Sequence, residues 1–356
     1  MTERQTELRD VLLLVSIDTE EDNMALTRVG VSVENVRELP RLAGFLMGLG
    51  VRATYFTTYQ VANCPWAAGI VREISHAGGA EVAAHLHPWN TPPMEEPWSP
   101  SHSMMRNLPV PLQLAKLQQL TAVHQAAFGA APTAFRAGRF GLGSNAVPSL
   151  VACGYRVDSS VTPFFSWEQM DNGPSFVGAP LSAYRIGQDA DVTVPQADGP
   201  LVEIPLTCGY TGLSPRHWLS TQRVLASPAS RLLHLAGLAC RLGLLKLTIL
   251  SPETDKVRDM LALSRRVLDG GVGHLQLFFH SPSLRPGLGR FSTSADDVER
   301  LYRSIERFLE GLSRMAPVRF ATVSEAAEIL GFGHPPTDPP IRSDSDQPPS
   351  AAVLQQ

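Results

Sequence analysis

Residues 11–22 read VLLLVSIDTEED, a short apolar run followed by four carboxylates (Asp18, Glu20, Glu21 and Asp22) within five positions. The run is too short for the apolar core of an export signal and passes straight into acid, so it reads as a buried strand. Where strands and helices alternate, functional residues sit on the loops that follow the strands. The acidic end of this strand is therefore the first candidate for a site.

The pattern downstream decides whether the strand belongs to such a fold. A helical stretch over Val33–Leu49 closes at Gly50, and VRATYFTT (51–58) is rich in the β-branched and aromatic residues of strands. A helix over Ala67–Ala77 stops at Gly78 and Gly79, and EVAAH (81–85) follows as a brief strand. Beyond a proline-rich loop (88–109), Leu112–Phe128 is helical, APTAFRA (131–137) strand-like, and a short helix from Ser144 leads into GYRVDSS (154–160). Residues 165–210 lose helical period and suggest an extra hairpin. Residues 215–270 read as helical, HLQLFFH (274–280) as a late buried strand, Ala295–Leu312 as an amphipathic helix, and VRFATVSEAAEIL (318–330) as a last strand and helix. This βα repetition predicts an α/β fold on a parallel sheet, as one domain over residues 11–330. It places an N-terminal extension at 1–10, a helical insertion at about 215–270, and a disordered Pro-, Ser- and Asp-rich tail at 331–356.

Composition narrows the function classes. With 356 residues, 44% hydrophobic and 18% charged, the chain is long enough for one large α/β domain. Its net charge of -4 and the lack of a basic run argue against nucleic acid and against an anionic membrane surface. Cys64, Cys153, Cys208 and Cys240 show no paired spacing and read as small buried hydrophobes. The apolar stretch 232–250 is broken by His234, Arg241 and Lys246, which predicts a packing helix and no stable membrane insertion. Without an export signal, the expected compartment is the cytoplasm. The 215–270 segment has three open roles: covering a site, forming a homodimer contact, or meeting a lipid carrier.

Several short stretches carry side chains suited to chemistry. In SIDTEED, strand alternation puts Asp18 and Glu20 on one face, and the cluster is either a solvated helix-capping loop or a set of charges offset by a cation. In HLHPW (85–89), an H-x-H pair on extended backbone can aim both rings at one ion, although either histidine alone could be a satisfied core residue. Two imidazoles and one carboxylate form a catalytic ligand set for Zn2+ or a similar divalent ion. FRAGRFGLG (135–143) offers Arg136 to orient a carboxylate, or else a glycine-rich turn with a surface arginine. DSSVTP (158–163) follows, and LQLFFHSPSL (275–284) brings His280 to the mouth of a buried strand, as a general acid or a capped core histidine.

Taken in chain order, these five stretches resemble the motifs of the polysaccharide deacetylase family (carbohydrate esterase family 4), and FATVSEAAEIL is similar to its C-terminal end. The resemblance covers about residues 10–330. It implies a distorted (β/α) barrel of about seven parallel strands, and metal-assisted hydrolysis of an N-acetyl group. It further implies Asp18 as the general base and Glu20, His85 and His87 as the ligands of a divalent ion, Zn2+ by the donor set. Arg136 would pair with Asp18. Phe140 would stand where a backbone amide helps to hold the oxyanion, and Asp158 would tune His280, the acid that protonates the leaving amine. The implied partner is a free or carrier-linked acetamido-sugar.

This chain departs from the family pattern in three places. Thr19 stands where a second aspartate is usual, which moves the ligand role to Glu20 with Asp22 as the alternative. The histidines are two residues apart instead of four, and FRAGRFG has one residue more between arginine and aromatic. The combination DTE … HLHPW … HS resembles a branch acting in bacterial cell-surface sugar pathways. Trp89, Pro92, Pro93 and Trp98 could supply a sugar-stacking wall, or simply a packed loop. Two other classes remain in view. A catalytically lapsed carbohydrate-binding protein on the same barrel would often lose Asp18 or His280, and both are present. An amidohydrolase barrel carries H-x-H at the end of its first strand, whereas here two strands precede it.

Overall fold

Every residue of the first strand, β1 (Val11–Thr19), is buried, and the alternation of its side chains divides the core. Val11, Leu13, Val15 and Ile17 point outward into a large cluster with the helices, whereas Leu12 and Leu14 point inward against Phe56, Ala134, Val157 and Val202. A strand covered on both faces is the reason for the unbroken apolar run. The computed structural model describes residues 10–24, 26–188, 190–226 and 246–333. Residues 227–245 of the segment read as helical, Cys240 among them, lie outside that range, as do residues 1–9 and 334–356 of the two termini.

The remaining strands are β2 (Ala53–Thr58), β3 (Glu81–Leu86), β4 (Ala134–Ala137), β5 (Val157–Asp158), β6 (Tyr184–Ile186), β7 (Leu201–Glu203), β8 (Cys208–Tyr210), β9 (Leu247–Ile249), β10 (His274–His280) and β11 (Val318–Ala321). Along one path seven strands, β1 among them, run parallel in the order β10-β1-β2-β3-β4-β5-β7, with β6 antiparallel on the β7 edge. β11 pairs with the first half of β1, on Val11–Leu14, while β2 pairs with its second half, from Val15. Irregular backbone closes the remaining gap. Leu250 donates its amide to the Thr207 carbonyl (2.9 Å), and its own carbonyl accepts from the Phe278 amide on β10 (3.1 Å). The curled sheet is thus a distorted (β/α) barrel.

The barrel interior changes character along its axis. Toward the strand N-termini it holds Leu12, Leu14, Phe56, Ala83 and Ala134. Toward the C-termini the inward positions become Ser16, Asp18, His85, Arg136, Gln276 and His280, nearly all of them buried. Apolar packing below and polar groups above is what a site at the C-terminal mouth requires. Helices clamp the outside. In Ala295–Ser313, Val298, Leu301, Tyr302, Ile305, Phe308 and Leu312 recur at helical spacing and are buried, while Ser294 and Asp297 form a capping box. Each such large side chain contributes roughly 1.5–3 kcal/mol.

Residues 165–210 contain the expected hairpin, as β6 and β7. Residues 215–270 are not continuously helical. After the helix Trp218–Ala226, β9 pairs antiparallel with β8 at Leu247–Ile249, and the helix Val257–Asp269 then packs Met260, Leu263 and Val267 onto the outer core. Sheet pairing decides the state of the short LTI run, which a helical period cannot distinguish. Among the described residues, no helix is long and apolar enough to cross a membrane.

Candidate metal and catalytic site

Parallel pairing places the candidate groups at one level. In the register of the strands, Asp18 lies opposite His280 on one side and Phe56 on the other, and His85 lies opposite Arg136. Inward positions on neighbouring strands therefore converge at the barrel mouth. Glu20 Oε2 stands 3.1 Å from His87 Nε2 and 3.6 Å from His85 Nε2. One ligand atom from each of these three buried residues lies within 4.8 Å of the other two. The two-residue histidine spacing brings both rings together, with centroids 4.6 Å apart.

The surroundings fit a divalent ion. His85 Nδ1 faces the Arg136 carbonyl at 3.0 Å, and His87 Nδ1 faces Glu21 Oε1 at 2.6 Å. Each partner accepts a proton from Nδ1, which leaves both Nε2 lone pairs directed at the Glu20 carboxylate. Glu20 Oε1 is buried without a hydrogen-bond partner. Burial works against a charge on His87, but Glu21 and Glu20 outweigh it and raise the imidazole to about 10. A metal at this site therefore competes with a proton, as metal ligation by histidine commonly does. Asp22, the alternative ligand, stands outside this cluster with its carboxylate occupied. Its Oδ2 accepts from the Ser32 hydroxyl (2.7 Å) and the Glu34 amide (2.8 Å), and its Oδ1 from the Asn35 amide (3.0 Å) and side chain (2.7 Å).

Glycine is required at 138. A Cβ built there would stand 2.6 Å from His87 Cδ2 and 2.6 Å from the Leu86 carbonyl oxygen. Gly138→Ala is therefore expected to displace the His87 ring and weaken Zn2+ binding by about tenfold or more, measured by competition with a chromogenic chelator. Unchanged affinity in the folded variant would remove His87 from the ligand set.

Two groups flank the ligands. Asp18 Oδ1 accepts from Arg136 Nη1 at 2.5 Å, while Oδ2 lies 3.9 Å from His85 Nε2 and 3.8 Å from His280 Nε2. Arg136 is fully buried, donates to the Ser159 carbonyl (2.8 Å) and to the Ser16 and Ser159 hydroxyls (3.1 Å each), and rests 4.0 Å over the Phe56 ring. A buried guanidinium with this many partners is a rigid mount for one carboxylate oxygen.

His280 has a different partner from the one expected. Its Nδ1 stands 2.8 Å from Glu253 Oε2, and its backbone amide donates to Glu253 Oε1 at 3.1 Å. The Ser283 hydroxyl donates to Glu253 as well. Burial opposes protonation of His280, but Glu253, and then Glu20 and Asp18, raise it to about 9. Asp158 does not take this part. It lies beside Phe135 and Glu203 in the sheet register, on the outward face, while Val157 faces the barrel interior. There Asp158 accepts from the Ser160 amide and hydroxyl and stands beside Glu203, whose carboxyl burial and the Asp158 charge push well above the usual range.

A cleft of about 740 Å3 opens over these groups. Phe140, expected near the oxyanion, lines it at positive φ (57°) and stacks on Trp167, with ring centroids 5.5 Å apart. Phe165 stacks on the same indole at 5.5 Å and 11°, and Phe291 stacks on His280 at 6.0 Å. Trp89 also lines the cleft, but it is buried and stacked on His87 at 4.1 Å. Pro92, Pro93 and Trp98 are not part of the lining, whereas Phe165 and Trp167 are. Glu253 and Glu21 had no assigned role in the sequence reading. The only signal for Glu253 is the turn-forming SPETD (251–255), which interrupts the segment read as helical.

No family model matches the sequence, and a search of curated proteins finds none similar to it. Solved structures do match in shape. A candidate polysaccharide deacetylase from Mycobacterium smegmatis superposes with a TM-score of 0.53 at 16% identity, over 91% of each chain. A candidate glycoside hydrolase/deacetylase from Parabacteroides distasonis does so with a TM-score of 0.55 at 14% identity, over 92% of this chain and 73% of that one. At these identities the likeness is one of fold, and it is the fold expected of polysaccharide deacetylases.

Proposed function

We propose that the protein is a metal-dependent hydrolase that removes an acetyl or similar acyl group from the nitrogen of an acetamido-sugar or related small amide. The observation that carries this reading is the placement of Asp18 and His280 beside the Glu20, His85 and His87 cluster, each with one atom free and the other held. Bound by those three residues, Zn2+ or a similar ion would supply Lewis-acid polarisation of the amide carbonyl and acidify water at neutral pH.

The remaining steps belong to the chain's own groups. Arg136 holds Asp18 Oδ1, so Oδ2 is the oxygen left to take a proton from the attacking water. Glu253 holds His280 Nδ1, which leaves the proton on Nε2 to be given to the departing nitrogen. The proton taken by Asp18 and the one given by His280 balance the hydrolysis to a carboxylic acid and an amine, and the acid then loses its proton to the amine or to solvent. The backbone amide of Phe140 is the candidate donor to the developing oxyanion. Phe140, Phe165 and Trp167 offer faces for a sugar ring, and the cleft volume falls in the range of small-molecule sites, about 300–1,000 Å3.

The test is carboxylate release from a panel of N-acylated sugars, both free and carrier-linked, by the Zn2+-loaded protein. Release that a chelator abolishes and Zn2+ restores is the expected result. A metal-loaded protein that binds the sugars but releases nothing from any of them would contradict the reading and favour a binding protein.

A further inference from the structure

The loop after β3 carries His87 and Trp89, and side chains from three other elements collect its carbonyl oxygens. Arg28 donates Nε to Trp89 O (3.1 Å) and Nη2 to Glu96 O (3.1 Å), and Gln60 donates to Asn90 O (2.8 Å). Lys116, in the helix Val110–Phe128, donates Nζ to Thr91 O (2.7 Å) and Pro93 O (2.6 Å). Its ammonium also stands 3.3 Å from Glu96 Oε2, a charge contact beside the two carbonyl bonds. Glu96 in turn is paired with Arg28 at 2.5 Å. The Lys116 side chain is fully buried. Burying an ammonium is costly, so a leucine or methionine would be the ordinary occupant of such a helix position. None of the chemistry proposed above uses this lysine.

Nearer the ligand the loop is also held by the Asn90 side chain, which donates to Glu21, the partner of His87 Nδ1; beyond Asn90 the carbonyls of Thr91 and Pro93 are held by Lys116. The Asn90 and Thr91 amides fold back to the His87 carbonyl, making one tight turn between the ligand and the residues that Lys116 holds. Trp89, within that turn, is stacked on the His87 ring. A shift of Thr91 or Pro93 is therefore passed directly to the ligand.

We propose that Lys116 is a positioning residue for the metal site: it pins the 87–96 loop from beneath and thereby sets the place of His87 Nε2. The proposal rests on the metal reading given above. Lys116→Met removes the clamp but leaves Glu96 paired with Arg28. The double variant Lys116→Met/Glu96→Gln also removes the acid that faced the ammonium, and leaves Arg28, one-quarter exposed, for solvent to balance. Both are expected to bind Zn2+ about tenfold more weakly in chelator competition, the usual scale for losing an outer support of a metal site. In metal-free protein, amide hydrogen exchange is expected to quicken within residues 88–97 and to stay unchanged in β1 and β10.

Folded variants whose Zn2+ affinity stays within about threefold of wild type, or whose loop exchange is unaltered, would overturn the proposal alone. A wild-type protein that takes up no Zn2+ would overturn the metal reading and this proposal together.

Discussion

Asp18→Asn is expected to lower kcat for acyl release by about 10^3-fold while Zn2+ affinity changes by less than about threefold. Asparagine keeps the size of the side chain and can still accept from Arg136, but it cannot take a proton from water. The rate loss follows from that single difference, since a positioned base contributes roughly 10^2–10^4-fold. The substitution also leaves the buried Arg136 guanidinium without its counter-charge, and breaking a buried pair costs about 3–5 kcal/mol. Here the Ser159 carbonyl and the Ser16 and Ser159 hydroxyls still receive the guanidinium. The variant should therefore melt earlier yet remain folded, and metal content and thermal melting must be read beside the rate. A folded, metal-loaded Asp18→Asn protein that retains a tenth or more of wild-type kcat would remove Asp18 from the base role.

The second large effect concerns pH. His280 is raised to about 9, with Glu253 as the strongest force against the cost of burial. The protonated imidazole is the form that can give a proton, so activity is present while His280 is protonated and is lost as rising pH deprotonates it. Stability follows the same sign: the contribution is complete below the ordinary histidine value and fades as pH passes about 9. Glu253→Gln keeps a hydrogen-bond acceptor but removes the charge. The basic limb of the kcat profile is then expected to move to lower pH by roughly 1–3 pH units, the span typical of losing an opposite charge at contact distance. Asp158→Asn should leave that limb in place, because Asp158 lies on the other face of the sheet. A limb that moves with Asp158→Asn and ignores Glu253→Gln would reverse the assignment.

These two carboxylates mark where the sequence could and could not be read. Asp18, His85, Arg136 and His280 were legible because each stands at or near the end of an apolar strand, where alternation alone fixes the inward face. The same alternation places Asp158 outward: Val157 is the inward residue of a two-residue strand, and motif order conceals this. Glu20 and Asp22 could not be ranked from sequence, since what separates them is the four hydrogen bonds that occupy Asp22. Glu253 reaches the site from a turn following β9, through the irregular closure between β7 and β10, and no periodic pattern announces that closure. Lys116 looks like a solvated position on a helix until the loop carbonyls above it are in place. Of the aromatic residues named in the proline-rich loop, Trp89 lines the cleft and Trp98 does not, while Phe165 and Trp167, beyond a strand too short to stand out, line it as well.

The central claim is that Glu20, His85 and His87 hold a catalytic metal ion. Elemental analysis of purified wild-type protein beside Glu20→Ala, His85→Ala and His87→Ala tests it most directly. The account predicts near-stoichiometric divalent metal in the wild type and a loss of most of it in each folded variant. Near-stoichiometric metal retained by all three variants would contradict it.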